Sequence, residues 1–220
     1  MFSIFIQELF TSPLTYLMAL AAMAFGLVLH NVVQAMVASS LGDNTAKSQG
    51  FTSTEPRAHL NPIYLIWLAI FGFAIPNTIP LKSYNLRGRS SSEVLIWLLG
   101  PISLVVWAFV LILVGALLNK FVGESSQAIV AGFFSGAGNV ISLAALFIFP
   151  VPPLDGSRVV RAFGNREINR VMDQIEQFTN STPFGFMIIF LVLSYLGITR
   201  AISGAIISVI VAVLQAIGLM

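Results

Sequence analysis

The sequence has 220 residues, of which 57% are hydrophobic and only 9% are charged. Eleven Lys and Arg residues stand against nine Asp and Glu residues, and the basic residues occur singly, so no patch suggests nucleic acid as a partner. Because the chain has no cysteine, disulfides, thiolate metal sites and cysteine nucleophiles are excluded.

Long apolar runs predict an all-α polytopic membrane protein that forms a single membrane domain over residues 1–220, because a helix needs roughly 20 apolar residues to cross a bilayer. The first residues lack the basic start and the cleavage site of a signal peptide, so the first run is expected to remain as a helix. The first three predicted spans are 14–38, 93–118 and 127–149. Residues 63–79 are apolar but short, with Pro76 and Pro80 at the end, and make a poor crossing helix.

The C-terminal part of the chain combines one amphipathic segment with a long apolar run. In residues 157–178, apolar side chains recur three or four positions apart and charged side chains occupy the other face, which predicts an interfacial helix. Residues 184–219 are too long for one span and predict two helices, 184–199 and 201–219, joined near Arg200. The whole pattern predicts about five to six membrane helices, with one segment, 63–79, re-entrant.

Short polar or proline-containing phrases interrupt these apolar runs in a fixed order. The first contains His30, Asn31 and Gln34, and the last is Val151-Pro152-Pro153-Leu154-Asp155-Gly156. Between them lie four more: Gly42-Asp43-Asn44-Thr45-Ala46-Lys47, His59-Leu60-Asn61-Pro62, Phe71-Gly72-Phe73-Ala74-Ile75-Pro76 and Leu99-Gly100-Pro101-Ile102-Ser103-Leu104. In wording and order, these phrases resemble the compact bacterial branch of the site-2 protease family, intramembrane zinc metallopeptidases, over nearly the whole chain.

The resemblance implies a zinc site, and the chain departs from it at two of the residues that matter. The family reads HExxH where this chain has His30, Asn31 and Gln34, and its third zinc ligand is an aspartate, which Asp155 retains. An amide at position 31 cannot act as the general base for a zinc-bound water. The Gln34 carboxamide is a much poorer zinc ligand than imidazole. The vestigial metal residues are therefore His30, Gln34 and Asp155, and no catalytic set is intact.

Supporting positions of the family pattern have changed as well. His59 is retained, but Asn61 replaces an aspartate, Leu104 replaces an asparagine, and Phe147 stands where a further asparagine is expected. Changes at several positions favour a natural pseudoenzyme over a single engineered inactivation.

The sequence thus predicts a catalytically inactive site-2-protease-like membrane protein that acts as a binding, regulatory or structural subunit of a membrane complex. No cofactor is expected. The alternative is an active intramembrane zinc metalloprotease with an atypical ligand set, which would need zinc. The expected partners are membrane lipid and either a transmembrane segment of another membrane protein or the subunits of a larger membrane complex, with no nucleic acid.

Simpler interpretations of the same residues remain open from sequence alone. His30 could be a buried polar residue bonded to a neighbouring helix. Asp155 could cap the segment that follows it. His59, in a polar loop, is expected to be a solvated or capping residue.

A topology follows if His30 and Asp155 share one site, because the exits of their two helices must then face one side of the membrane. This requires residues 63–79 to be re-entrant, which backbone buried in protein permits. Nine of the eleven basic residues then lie on that side, and the positive-inside rule makes it the cytoplasm. The expected location is a bacterial inner membrane, with the former active site toward the cytoplasm, the N-terminus outside and the C-terminus inside.

Overall fold

A computed structural model describes residues 5–122, 127–181 and 185–219, which are mostly helical and contain no strand. The eight longer helices are α1 Pro13–Ser40, α2 Pro62–Phe71, α3 Ser90–Val122, α4 Gln127–Phe147, α5 Asp155–Phe163, α6 Arg166–Ser181, α7 Gly185–Tyr195 and α8 Ile198–Ala216. Five short elements are Phe5–Gln7, Glu8–Thr11, Thr45–Ser48, Pro56–His59 and Ser83–Asn85. The prediction of an all-α polytopic membrane protein is confirmed, since α1, α3, α4 and α8 are each long and apolar enough to cross a membrane. The number of such spans in the described ranges is four, or up to five if the bent pair of α6 and α7 is one span.

The core is a bundle of α1, α3 and α4, in which α3 runs antiparallel to the other two. Glycines in α4 permit its close approach to α1, because a Cβ at Gly136 would already meet the Ala22 Cβ at 3.0 Å. The Trp107 indole of α3 donates a hydrogen bond to the Ala22 carbonyl of α1 at 3.0 Å. Leu27 of α1 is fully buried. We call the end of the bundle near Ser40, Ser90 and Phe147 the site end, and the end near Pro13, Lys120 and Gln127 the far end.

Residues 62–82 form a hairpin that runs into the bundle and returns. Asn61 caps α2 by accepting a hydrogen bond from the Ile63 amide at 2.9 Å, and Gly72, with φ of 76°, ends the helix. An extended segment, residues 73–82, follows, and we call it the strap. Tyr16 donates to the Ala69 carbonyl near the far end.

The strap then brings the chain back to the level at which it entered. The Asn77 amide of the strap donates to the His59 carbonyl, just before α2, at 2.6 Å. The predicted segment 63–79 is therefore helical only in its first half, because Gly72 stops the helix. With ten residues, α2 is about 15 Å long and too short to cross the hydrocarbon core.

The predicted spans 184–199 and 201–219 fall on α7 and α8, and α8 is long and apolar enough to cross a membrane. Helix α7 has only 11 described residues, about 16 Å, and residue 184 lies outside the described ranges. Helix α8 then runs along α4, and the Lys120 ammonium donates to the Gly218 carbonyl at 2.9 Å. The described chain therefore ends at the far end, opposite the end that the predicted topology requires, because α7 and α8 follow one another through the bundle.

The predicted interfacial helix 157–178 is two helices, α5 and α6, which separate at Gly164 and Asn165. Arg161 of α5 joins them again through ion pairs with Asp173 at 2.6 Å and Glu176 at 2.7 Å. Helix α6 has no buried residue and meets α7 at an angle of 114°. These helices lie at the site end, where α5 packs against α3.

A buried carboxylate holds the loops of the site end together. Asp43 is fully buried and accepts hydrogen bonds from the Thr45 amide and hydroxyl, the Lys82 amide and the Asn85 side chain. Burial raises the pKa of the Asp43 carboxyl, but the hydrogen bonds together lower it by more than burial raises it. The pKa therefore lies below its ordinary value. The ionised carboxylate thus ties the end of α1 to the end of the strap.

Candidate functional site

Four of the residues singled out in the sequence meet in one buried cluster at the site end. His30, Asn31 and Gln34 project from α1, where positions three and four apart share a face. Asp155 is the first residue of α5 and reaches them from the other side of the cluster. All four residues are buried, with relative exposures of 1% for the α1 residues and 6% for Asp155.

Direct hydrogen bonds join these side chains. His30 Nε2 lies 2.6 Å from Asp155 Oδ2, and Gln34 Nε2 donates to the same oxygen at 3.1 Å. Asn31 Nδ2 donates to the Asn77 carbonyl at 2.6 Å, which leaves Asn31 Oδ1 facing His30 Nδ1 at 3.1 Å.

This arrangement assigns the proton on His30 Nδ1. His30 Nδ1 must donate, because Asn31 Oδ1 can only accept. The contact between His30 Nε2 and Asp155 then holds one further proton, on the ring or on the carboxyl, and the buried pair is neutral as a whole. A neutral pair with satisfied hydrogen bonds limits the desolvation penalty that a buried charge would bring.

Asn31 also ties α1 to the strap. The strap residues Ile75 to Ile79 line the cluster, so this hydrogen bond holds the strap across it. A glutamate at position 31 would present an anionic acceptor to the Asn77 carbonyl, which cannot donate. The amide is therefore the side chain that suits this contact.

The remaining walls leave almost no space. A Cβ at Gly100 of α3 would overlap the Gln34 amide and lie 2.5 Å from His30 Nε2, so α3 backbone closes directly over the cluster. The Phe147 ring lies against the His30 ring, with centroids 4.8 Å apart. The cavity measures about 10 Å³, roughly the space of a single water.

Arg158 and Trp97 also line this cavity, although neither is a predicted site residue. The Arg158 guanidinium lies over the Trp97 ring at 4.6 Å from its centroid, a cation–π geometry. Burial lowers the pKa of Arg158, and the nearby Asp155 opposes that shift. From sequence, Arg158 counts only as a positive-inside residue, because nothing in a linear pattern reports the facing indole.

The structure does not bring the other predicted support residues into the cluster. His59 is fully buried and is not solvated as expected: its Nε2 contacts the Ser53 carbonyl at 2.8 Å, and its ring meets Phe51 edge-on. Asn61 caps α2. Leu104 packs in the bundle core beside Gly26. Among the predicted support residues, only Phe147 lines the cavity.

The simpler interpretation of Asp155 as a helix cap does not match the geometry. Leu154 occupies the N-cap position of α5, and no side chain caps that helix. The Asp155 carboxylate is instead used by His30 and Gln34. His30 is a buried polar residue bonded to a neighbouring helix, and the neighbour is the predicted co-ligand.

The arranged donor set does not fit zinc. Two ligands on one tetrahedral zinc, with bonds of about 2.0 to 2.1 Å, lie about 3.3 Å apart, whereas His30 Nε2 and Asp155 Oδ2 are 2.6 Å apart. Gln34 presents its NH₂ group, a donor, to the cluster. No group of three or more His, Cys, Asp and Glu in the described ranges could hold a metal ion.

Comparison with known proteins gives one relative. The chain is 30% identical over 190 residues to "Putative zinc metalloprotease YwhC" of Bacillus subtilis (strain 168), and the match covers 83% of this chain and 81% of that protein. This chain belongs to a site-2-protease-like family. No protein-family model matches the sequence, and no solved structure matches the chain.

Membership in this site-2-protease-like family and the apolar helices together make the chain an integral membrane protein. The match to this relative spans most of both chains.

Proposed function

We propose that this chain is a catalytically inactive member of its family that binds a membrane-spanning segment of another protein, as a regulatory or structural subunit of a membrane complex. The observation that carries the proposal is the closed contact between His30 and Asp155. The two groups that would hold a metal satisfy each other, and the amides of Asn31 and Gln34 complete the same hydrogen-bond network.

Asn31 supports the proposal in a second way. A general base must accept a proton from water, and the Asn31 carboxamide cannot do this at neutral pH. Its amide hydrogens are used to hold the strap across the site. The residue at the family's general-base position therefore holds the strap across the site.

The alternative is an active zinc metalloprotease with an atypical ligand set. The name of YwhC favours it, since a relative at this identity carries a zinc metalloprotease name. To bind zinc through His30 and Asp155, the chain would have to break their contact and turn the Gln34 oxygen inward. Zinc content therefore separates the two candidates.

Purified protein, incubated with excess zinc in mild detergent and then dialysed, is expected to retain well under one zinc per chain, because two ligands fall short of the three that catalytic zinc normally takes. It should also leave membrane-spanning substrates of related family members uncut. Elemental analysis and gel electrophoresis of the substrate measure these outcomes.

His30→Ala is the matched control, since any zinc that both proteins retain is bound elsewhere. The double variant Asn31→Glu with Gln34→His should stay inactive, because a carboxylate at position 31 would face the Asn77 carbonyl. Stoichiometric zinc that His30→Ala loses, or cleavage that a chelator abolishes, would establish the alternative.

We further propose that the site end faces the cytoplasm of a bacterial inner membrane and that the hairpin of α2 and the strap is re-entrant. The hydrogen bond between Asn77 and His59 supports the second point, because both legs of the hairpin leave at one level. Nine basic residues lie toward that end: Lys47, Arg57, Lys82, Arg87, Arg89, Arg158, Arg161, Arg166 and Arg170. The positive-inside rule supports the first point.

Single cysteines can test this topology, because the chain has none of its own. A membrane-impermeant thiol reagent added to intact cells is expected to label cysteines at Gln127 and Ile217 and to spare those at Ser48, Ser83 and Asn169. Labelling at 83 but not at 48 would show that the hairpin crosses the membrane. Labelling at 48 and 83 with protection at 127 would show the opposite orientation.

A further inference from the structure

A second cavity, of about 320 Å³, lies between the turn of the hairpin, α4, α7 and α8. It shares no residue with the His30 cluster. Although the hairpin turn and three apolar helices line it, half of its lining residues are polar. These are Asn139, Ser142, Ser194, Thr199, Arg200 and Ser203.

The lining offers hydrogen-bond donors and one positive charge. In the described part of the chain, the Arg200 guanidinium has no acidic partner, and the hydroxyls of Ser194 and Thr199 have no hydrogen-bond acceptor. The hydroxyls of Ser142 and Ser203 donate to carbonyls of their own helices. No lining residue is Asp or Glu. An anion would accept hydrogen bonds from these donors and balance the positive charge.

Arg200 lies deep along the bundle. From Arg200 to the end of α8 the helix continues for about 24 Å, and α7, about 16 Å long, separates Arg200 from α6 on the other side. Ser142, across the cavity, is about 22 Å from the start of α4. An unpaired guanidinium at such a depth is unfavourable in hydrocarbon, and ionisable side chains there commonly have a paired role.

We propose that this cavity receives the carboxylate of an aspartate or glutamate carried by a membrane-spanning helix of a partner protein. A guanidinium binds a carboxylate through two parallel hydrogen bonds, and the hydroxyls of Ser194 and Thr199 can donate to the remaining lone pairs. A lipid phosphate fits less well, because α7 on one side and α8 on the other hold headgroups away from Arg200. This proposal rests on the binding part of the proposed function, because it names the chemistry of the bound segment. It does not depend on the loss of catalysis, since none of its residues lines the His30 cavity.

Synthetic membrane-spanning peptides can test this pairing directly. The probe is a lysine-flanked leucine–alanine helix with one glutamate in its central third, and the matched peptide has glutamine there. The full chain, labelled at Gln215→Cys and reconstituted in phosphatidylcholine vesicles at pH 8, reports binding of labelled peptide by energy transfer. We expect the glutamate peptide to bind about threefold to thirtyfold more tightly than the glutamine peptide, the range of interhelical polar contacts.

Arg200→Gln should abolish this preference, and Arg200→Lys should retain part of it. Arg57→Gln, which removes an exposed loop cation, should leave the preference intact. Equal binding of both peptides, or a preference that survives Arg200→Gln, would overturn the proposal. Native mass spectrometry tests the lipid alternative. If both peptides bind equally and a phosphatidylglycerol molecule is found on the wild type but not on Arg200→Gln, the cavity holds a lipid phosphate and the proposal is overturned.

Discussion

Asp155→Ala is expected to lower the free energy of unfolding by about 2 to 6 kcal/mol, because two buried polar groups lose their shared partner and each group left unsatisfied costs about 1 to 3 kcal/mol. The substitution leaves His30 Nε2 and the Gln34 amide without their hydrogen-bond partner inside a closed cavity. Thermal unfolding in mild detergent, followed by tryptophan fluorescence, should show a decrease in melting temperature on the order of 10 °C.

Asp155→Asn is the matched control. With Nδ2 in the place of Asp155 Oδ2, the asparagine can donate one hydrogen to a bare His30 Nε2. A Gln34 amide turned by about 180° can accept the second hydrogen through Oε1, so most of the stability should remain. If Asp155→Ala and Asp155→Asn melt at the same temperature, the hydrogen bonds of Asp155 do not stabilise the fold and the closed cluster is not the low-energy state.

The sequence predicts the parts of the fold that depend on long apolar runs. Helices α1, α3 and α4 lie over the predicted spans 14–38, 93–118 and 127–149, and each extends or ends within a few residues of them. A run of this length has one low-energy arrangement in a bilayer, since every backbone group must be bonded within the segment. The tertiary position of such a helix is a different matter, because it depends on side chains that other helices present.

The C-terminal helices show that limit. The run 184–219 predicts two helices joined near Arg200, a few residues from the observed break between Tyr195 and Ile198, but nothing in its composition says that α8 begins beside Ser142. A left-handed Gly197, with φ of 70°, makes the break. The hydrogen bond from Lys120 to the Gly218 carbonyl, which the sequence does not predict, shows that the described chain finishes at the far end of the bundle.

The site divides in the same way. His30, Asn31, Gln34 and Asp155 are visible in the sequence because polar side chains are conspicuous in apolar runs. The acceptor that Asn31 uses is a main-chain carbonyl at Asn77, and main-chain groups leave no compositional signal. Gly100 stands in a recognisable Gly-Pro phrase. The packing alone shows that the α3 backbone closes over His30 at this glycine.

Gly156→Ala is expected to lower the free energy of unfolding by about 1 to 3 kcal/mol, the usual cost of overpacking. A Cβ at this position would overlap the Ile148 and Phe149 carbonyls, which are main-chain groups at the exit of α4 and cannot rotate aside. Helix α5 would have to shift, and Asp155, the preceding residue, would move away from His30. Gly138→Ala is the control, because a Cβ there meets nothing within 4 Å and should leave stability unchanged or raise it slightly.

The two substitutions should also interact, because both act on the contact between His30 and Asp155. If the shift of α5 breaks that contact, Gly156→Ala will cost less in the Asp155→Ala background than in the wild type, and a double-mutant cycle will measure the difference. Additive effects would show that α5 absorbs the extra methyl group without moving Asp155. In that case the position of the carboxylate is set by the proline-rich turn before it, and the close approach at Gly156 serves only to pack α5 against the exit of α4.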